Sequence, residues 1–146
     1  MTTIAVRHST LEMASDSLIS GDGFSYNAQK FRKLRSSFIG AAGDWHHVLQ
    51  FFDRLKKKKP LDADCDVCAI ELHKDGIYVY ERTIIPTKIQ QDFYAIGTGA
   101  GYAIACMHYG HSPKDAVELA ALYDPNTKGP IEVVTLGRAR GKSRSK

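Results

Sequence analysis

The apolar residues of this chain change period in an order that alternating β-α-β units cannot produce, and that order most constrains the fold. Residues 3–7, with Ile4 and Val6, read as a strand, and residues 11–15 as its partner across a turn at His8-Ser9-Thr10. Ser20-Gly21-Asp22-Gly23 is rich in turn formers and reads as a loop. Residues 28–34 alternate Lys30 and Arg32 with Phe31 and Leu34, which suits a half-exposed strand. Residues 36–41 read as a buried strand that ends at Gly43.

Trp45, Val48, Leu49, Phe52 and Leu55 then fall at helical spacing, stopped by the lysine run 56–59 and by Pro60. Residues 67–72 and 77–80 flank Lys74-Asp75-Gly76, a hairpin with the Asp-Gly signature. Residues 93–97 form a further strand, and the small, apolar stretch 99–109 a closely packed helix. Ser112-Pro113-Lys114-Asp115 opens another helix, with a capping serine, proline in the first turn and a carboxylate three residues on. That helix runs to about residue 123, and residues 131–136 are the last strand. Strands, a helix, a hairpin and strand, two helices and a strand predict an α+β domain of mostly antiparallel sheet with helices outside.

The 146 residues suit one domain, expected over 1–137, with a basic, disordered tail over 138–146. Five of the chain's positive residues lie in that tail, so the remainder of a chain with net charge +4 is close to neutral. Such a tail reads as solubilising, and nucleic acid is not expected as a partner. No apolar run approaches the ~20 residues of a membrane span, so no membrane association is expected. Three unevenly spaced cysteines argue against a disulfide framework and for the cytoplasm. Cys65-Asp66-Val67-Cys68 lacks a second ligand pair and reads as the start of a strand with Cys68 buried. His46-His47, His108 and His111 lie at element ends, and neither metal nor cofactor is expected.

The first residues carry chemistry. Thr2 follows the initiator methionine, and small second residues permit its removal. A terminal threonine holds a hydroxyl nucleophile and an α-amine whose ordinary pKa is about 7.7–8.0, suited to act as its base.

A series of short motifs in order then resembles the proteasome β-type subunits, closest to the HslV-like peptidases, within the N-terminal nucleophile hydrolases. Thr2-Thr3-Ile4 is similar to the family's mature start, and Met13-Ala14-Ser15-Asp16-Ser17 to the segment with its buried acid. Lys30-Phe31-Arg32-Lys33-Leu34 resembles the strand of the catalytic lysine, and Gly40-Ala41-Ala42-Gly43-Asp44 the oxyanion turn. Ala95-Ile96-Gly97-Thr98-Gly99-Ala100-Gly101-Tyr102-Ala103 is similar to the HslV segment, with Thr98 in its serine's place. Asp124-Pro125-Asn126-Thr127-Lys128-Gly129 resembles the family's last polar loop.

The resemblance implies a four-layer sandwich, helices over two antiparallel sheets. It implies a threonine endopeptidase with Thr2 as nucleophile, Asp16 and Lys30 as the buried charged pair, and the Gly43 amide on the oxyanion. Thr98, Asp124 and Thr127 would surround the amine and the hydrolytic water. Residues 20–26 and 42–45 would shape the first specificity pocket. The substrate would be peptide or unfolded protein, cleaved inside a homo-oligomeric ring.

The chain departs from the family in length. Residues 44–66 have room for one helix where the family carries two, so one helix layer is reduced and docking of an AAA+ unfoldase is in doubt. The shortness and the basic tail suit a phage or otherwise diverged bacterial member. Two other readings stand beside the peptidase: a catalytically silent assembly or binding protein that keeps Met1, and an amidase on small substrates.

Overall fold

The structure, a computed structural model, describes residues 2–137; Met1 and the basic segment 138–146 lie outside the described residues. Two antiparallel sheets lie face to face. The first has the order β10-β1-β2-β11, built from β10 (Phe93–Gly97), β1 (Thr3–Arg7), β2 (Glu12–Ser15) and β11 (Glu132–Thr135). The second has the order β5-β6-β7-β8-β9, from β5 (Phe31–Lys33), β6 (Phe38–Gly43), β7 (Val67–His73), β8 (Gly76–Glu81) and β9 (Thr87–Ile89). A separate hairpin joins β3 (Leu18–Gly21) to β4 (Phe24–Asn27).

Alternation along each strand builds three apolar layers. Ile4, Val6, Met13, Ile70, Leu72 and Ile77 meet between the sheets. On the other face of the first sheet, Ala5, Ala14 and Ala95 are small enough for helices α2 (Ala100–His108) and α3 (Pro113–Tyr123) to lie close, through Ala103, Met107, Ala116 and Val117. On the outer face of the second sheet, Ile39, Ala41, Val67 and Ala69 receive Val48 and Phe51 of helix α1 (Trp45–Lys57). The result is the expected α+β four-layer arrangement, with α1 alone in one outer layer. Residues 58–66 form no helix.

Local signals explain most boundaries. Ser112 Oγ accepts from the Asp115 amide at 3.1 Å and caps α3, with Pro113 at its start. Helix α1 ends in the lysine run, where Lys58 turns left-handed at φ 57°.

Several expectations need correction. The segment expected as a loop at 20–23 belongs to the β3–β4 hairpin, with Ser20 and Gly21 paired to Ser25 and Phe24. In the β7–β8 hairpin the turn is Lys74-Asp75, and Gly76 already pairs with His73. The strand expected over 28–34 is only Phe31–Lys33, so Lys30 lies outside the pleat and is buried, not exposed beside Arg32. Cys65 is the buried cysteine and Cys68, within β7, is half-buried; all three thiols are free. Burial first, then Glu81 and Asp66, pushes the Cys68 thiol up to about 11.

Candidate active site

The two sheets converge at the end where β1 begins. Thr2 immediately precedes β1, Asp16 follows β2 and Lys30 precedes β5, so three strand ends place three polar side chains together. All are buried, with Thr2 and Lys30 each 2% exposed and Asp16 not at all.

Their contacts interlock. Lys30 Nζ donates to Thr2 Oγ1 at 2.6 Å and to Asp16 Oδ1 at 2.9 Å, while the Thr2 hydroxyl donates to Asp16 Oδ1. Asp16 also accepts the Thr3 amide on Oδ1 at 3.2 Å and the Lys128 amide on Oδ2 at 3.1 Å. A carboxylate stays charged when buried only if its lone pairs are met in this way. Burial pulls Lys30 below its ordinary value of 10.5, and the adjacent Asp16 carboxylate opposes that shift.

Gly43, the last residue of β6, lines one pocket with Thr2, Lys30, Ile19, Trp45 and Val48. Its φ is +141°, and a Cβ there would sit 2.7 Å from the Asp66 carbonyl oxygen, so a side chain does not fit. Gly97 permits a second close approach. Its φ is +99°, a Cβ would overlap the Thr2 carbonyl, and Thr98 N donates to that carbonyl at 2.9 Å.

The remaining three expected residues form a second group. Asp124, at the C-cap of α3, accepts Thr98 Oγ1 at 2.5 Å and Thr127 Oγ1 at 2.6 Å on Oδ2, and the Asn126 amide at 3.1 Å on Oδ1. Burial opposes its charged form, yet the Thr127, Thr98 and Asn126 hydrogen bonds hold its carboxyl below the usual carboxylate range. Thr127 has one hydroxyl proton, committed to Asp124, so Thr3 Oγ1 is the donor in the 2.7 Å contact between the two threonines.

Thr3 is therefore the link that residue reading missed. Its amide reaches Asp16 and its hydroxyl reaches Thr127, so one residue ties the Thr2–Asp16–Lys30 group to the Asp124 group. The Lys128 amide was missed too, because a backbone donor carries no residue-type signal. Of the segments expected to shape the pocket, Ser20, Gly43, Asp44 and Trp45 line it, with Ile19, Ala41 and Val48 added. Phe24 and Tyr26 instead stack on each other, largely exposed, at 5.9 Å.

Asp44, His46 and His47 bring possible ligand atoms within 4.8 Å of one another. His47 Nδ1 is already the acceptor for the Asp66 amide at 3.3 Å, which places the neutral ring's proton on Nε2.

Neither a family model nor a curated relative matches the sequence. Solved structures do match the fold. BPH from Thiobacillus denitrificans, in complex with epoxomicin, aligns at 17% identity over 94% of this chain and 100% of its own, with a TM-score of 0.71. HslV from Trypanosoma brucei aligns at 17% identity over 92% of this chain and 99% of its own, also at 0.71. A mutant of Anbu from Hyphomicrobium sp. aligns at 9% identity over 92% of this chain and 81% of its own, at 0.73.

Proposed function

We propose that this chain, whose fold is that of the HslV-like, proteasome β-type subunits, is a threonine-type peptidase. Its nucleophile is Thr2, exposed as the terminal residue once Met1 is removed. The observation that carries this reading is the buried 2.6 Å hydrogen bond from Lys30 Nζ to Thr2 Oγ1, with Asp16 joined to both side chains.

The chemistry follows from that contact. An ammonium donating to Oγ1 favours the alkoxide, and Asp16 holds the ammonium against the desolvation that would discharge it. The freed α-amine takes the hydroxyl proton as Oγ1 attacks the peptide carbonyl carbon. The Gly43 amide is assigned to the resulting oxyanion. The C–N bond breaks, the proton passes to the leaving amine, and an ester to Thr2 remains. Water then adds to the ester carbonyl, giving a proton to the α-amine, and that proton returns to Oγ1 as the carboxylic acid leaves. Thr98, Asp124 and Thr127 are assigned to orienting the amine and this water.

The reading extends to self-association in a ring that encloses peptide or unfolded protein. Tyr109, Leu122 and Tyr123 are 82%, 75% and 63% exposed around α2 and α3, an apolar display that suits a subunit interface. An AAA+ unfoldase would have to dock without a second helix in the α1 layer, since residues 58–66 form none. The three free thiols accord with a cytoplasmic location, and no helix among the described residues is long and apolar enough to cross a membrane.

Hydrolysis of a fluorogenic peptide by the processed protein tests the reading. Turnover that disappears in Thr2→Ala supports it, and turnover at the wild-type rate in that variant overturns it.

A further inference from the structure

The pocket beside Thr2 is narrow, and its walls belong to the core. It lies against Thr2 and Gly43 and is walled by Ile19 of β3, Ala41 of β6, and Trp45 and Val48 of α1. Trp45 and Val48 share one side of that helix. Ala41 and Val48 are each 1% exposed, within the apolar layer that also holds Ile39, Phe51, Ala69 and Tyr80. In that layer the Phe51 ring meets Tyr80 edge-on at 5.3 Å, and Trp45 packs on the same cluster. A layer packed to the density of a protein interior does not widen for a larger group without strain.

The enclosed space is about 40 Å³. One water needs about 10–15 Å³ on that scale, so about three would fill it. That is room for the branched end of a valine or leucine side chain and too little for a benzyl ring. Charged side chains fit no better. Lys30 is committed to Thr2 and Asp16, and Asp44, which also lines the pocket, is exposed to solvent. Neither offsets the desolvation of a charge among apolar walls. The residue attacked by Thr2 Oγ1, with its carbonyl oxygen directed to the Gly43 amide, carries its side chain on the adjoining carbon. A pocket that touches both Thr2 and Gly43 therefore receives that side chain, on the acyl side of the scissile bond.

We propose that this chain cleaves after small, branched aliphatic residues, valine and leucine above all, and discriminates against aromatic and charged ones. The inference rests on the reading of Thr2 as a peptidase nucleophile and adds the substrate class of that site. Val48 and Trp45 set the size limit, because their side chains close the pocket from α1. A single surplus methylene in an apolar pocket changes reactivity by about 10–200-fold. A benzyl group exceeds leucine by more than that, so a penalty of about tenfold or more is expected.

The test is the rate of adduct formation at Thr2, followed by intact mass, with peptide epoxyketones that differ only in the residue next to the warhead: valine, leucine, phenylalanine, lysine or glutamate. The valine and leucine reagents should react about tenfold or more faster than the other three. Val48→Ala, with folding checked by its thermal midpoint, and Trp45→Ala, at the partly exposed start of α1, should each narrow the gap between leucine and phenylalanine by about tenfold. Equal rates across the five reagents overturn the preference and leave the Thr2 peptidase standing. A phenylalanine, lysine or glutamate reagent that reacts fastest does the same, and lysine in that place would make the Asp44 carboxylate the determinant. An unchanged gap in both folded variants overturns the pocket as the source of selectivity. No adduct with any reagent removes the preference together with the peptidase reading.

Discussion

Lys30 Nζ lies 2.6 Å from Thr2 Oγ1, although the two residues are 28 positions apart and neither belongs to a strand. Strand ends place them, not strand faces, so their contact does not depend on the pleat. Asp16, one residue beyond β2, closes the group.

Asp16→Asn tests how far the group depends on charge. The substitution keeps the volume but removes the carboxylate that accepts from Thr2, Thr3, Lys30 and Lys128. It leaves a buried ammonium without its counter-charge, which should cost about 3–5 kcal/mol in chemical denaturation. Peptide turnover should fall by about 10²–10⁴-fold, because Lys30 is then neither oriented nor kept charged.

Asp124 carries a pH dependence of defined sign. Its carboxyl lies below the ordinary value of 3.8, so the unfolded chain takes up that proton first as pH falls. Its contribution to stability is therefore complete above about pH 4 and is lost as pH drops through its lower folded value. The stability difference between wild type and Asp124→Asn should be roughly 1–3 kcal/mol near neutrality and should shrink in acid. A difference that grows in acid would contradict this.

Gly43→Ala should be harmful twice over. The positive φ opposes a side chain, and the new methyl carbon would lie 2.7 Å from the Asp66 carbonyl oxygen. A loss of about 1–3 kcal/mol is expected on unfolding. Peptide turnover should fall further than the folded fraction does, because the amide assigned to the oxyanion moves with the backbone.

Glu71 supplies the converse case, a buried polar group far from Thr2. It accepts Ser37 Oγ and Tyr80 OH, both at 2.5 Å, and faces His73 Nε2 at 2.9 Å. Glu71→Ala strands the Ser37 and Tyr80 hydroxyls in the core, at about 1–3 kcal/mol for each unmet group. The thermal midpoint should drop, while turnover per folded molecule below that midpoint should stay unchanged.

The sequence made the regular parts of the fold readable where a local rule decides them. The Ser112 cap, the apolar face of α1 and the β7–β8 pair all follow from spacing within a few residues. The β3–β4 hairpin escaped because Ser20, Ser25 and Asn27 are poor strand formers on a largely exposed ribbon. Strand β9 escaped because three mostly exposed edge residues, Thr87, Lys88 and Ile89, leave no periodic signal. In the candidate site, Thr2, Asp16 and Lys30 were legible through their motifs, but alternation alone would have put Lys30 in solvent with Arg32. Thr3 was not legible, since its amide and hydroxyl act across contacts of 13 and 124 positions.

The most direct test of the central claim is the intact mass of the purified protein before and after incubation with a peptide epoxyketone such as epoxomicin. That reagent needs both the hydroxyl and the free α-amine of a terminal threonine. Loss of Met1 and a single stoichiometric adduct that is absent in Thr2→Ala are expected. A chain that retains Met1 and takes up no adduct would contradict it.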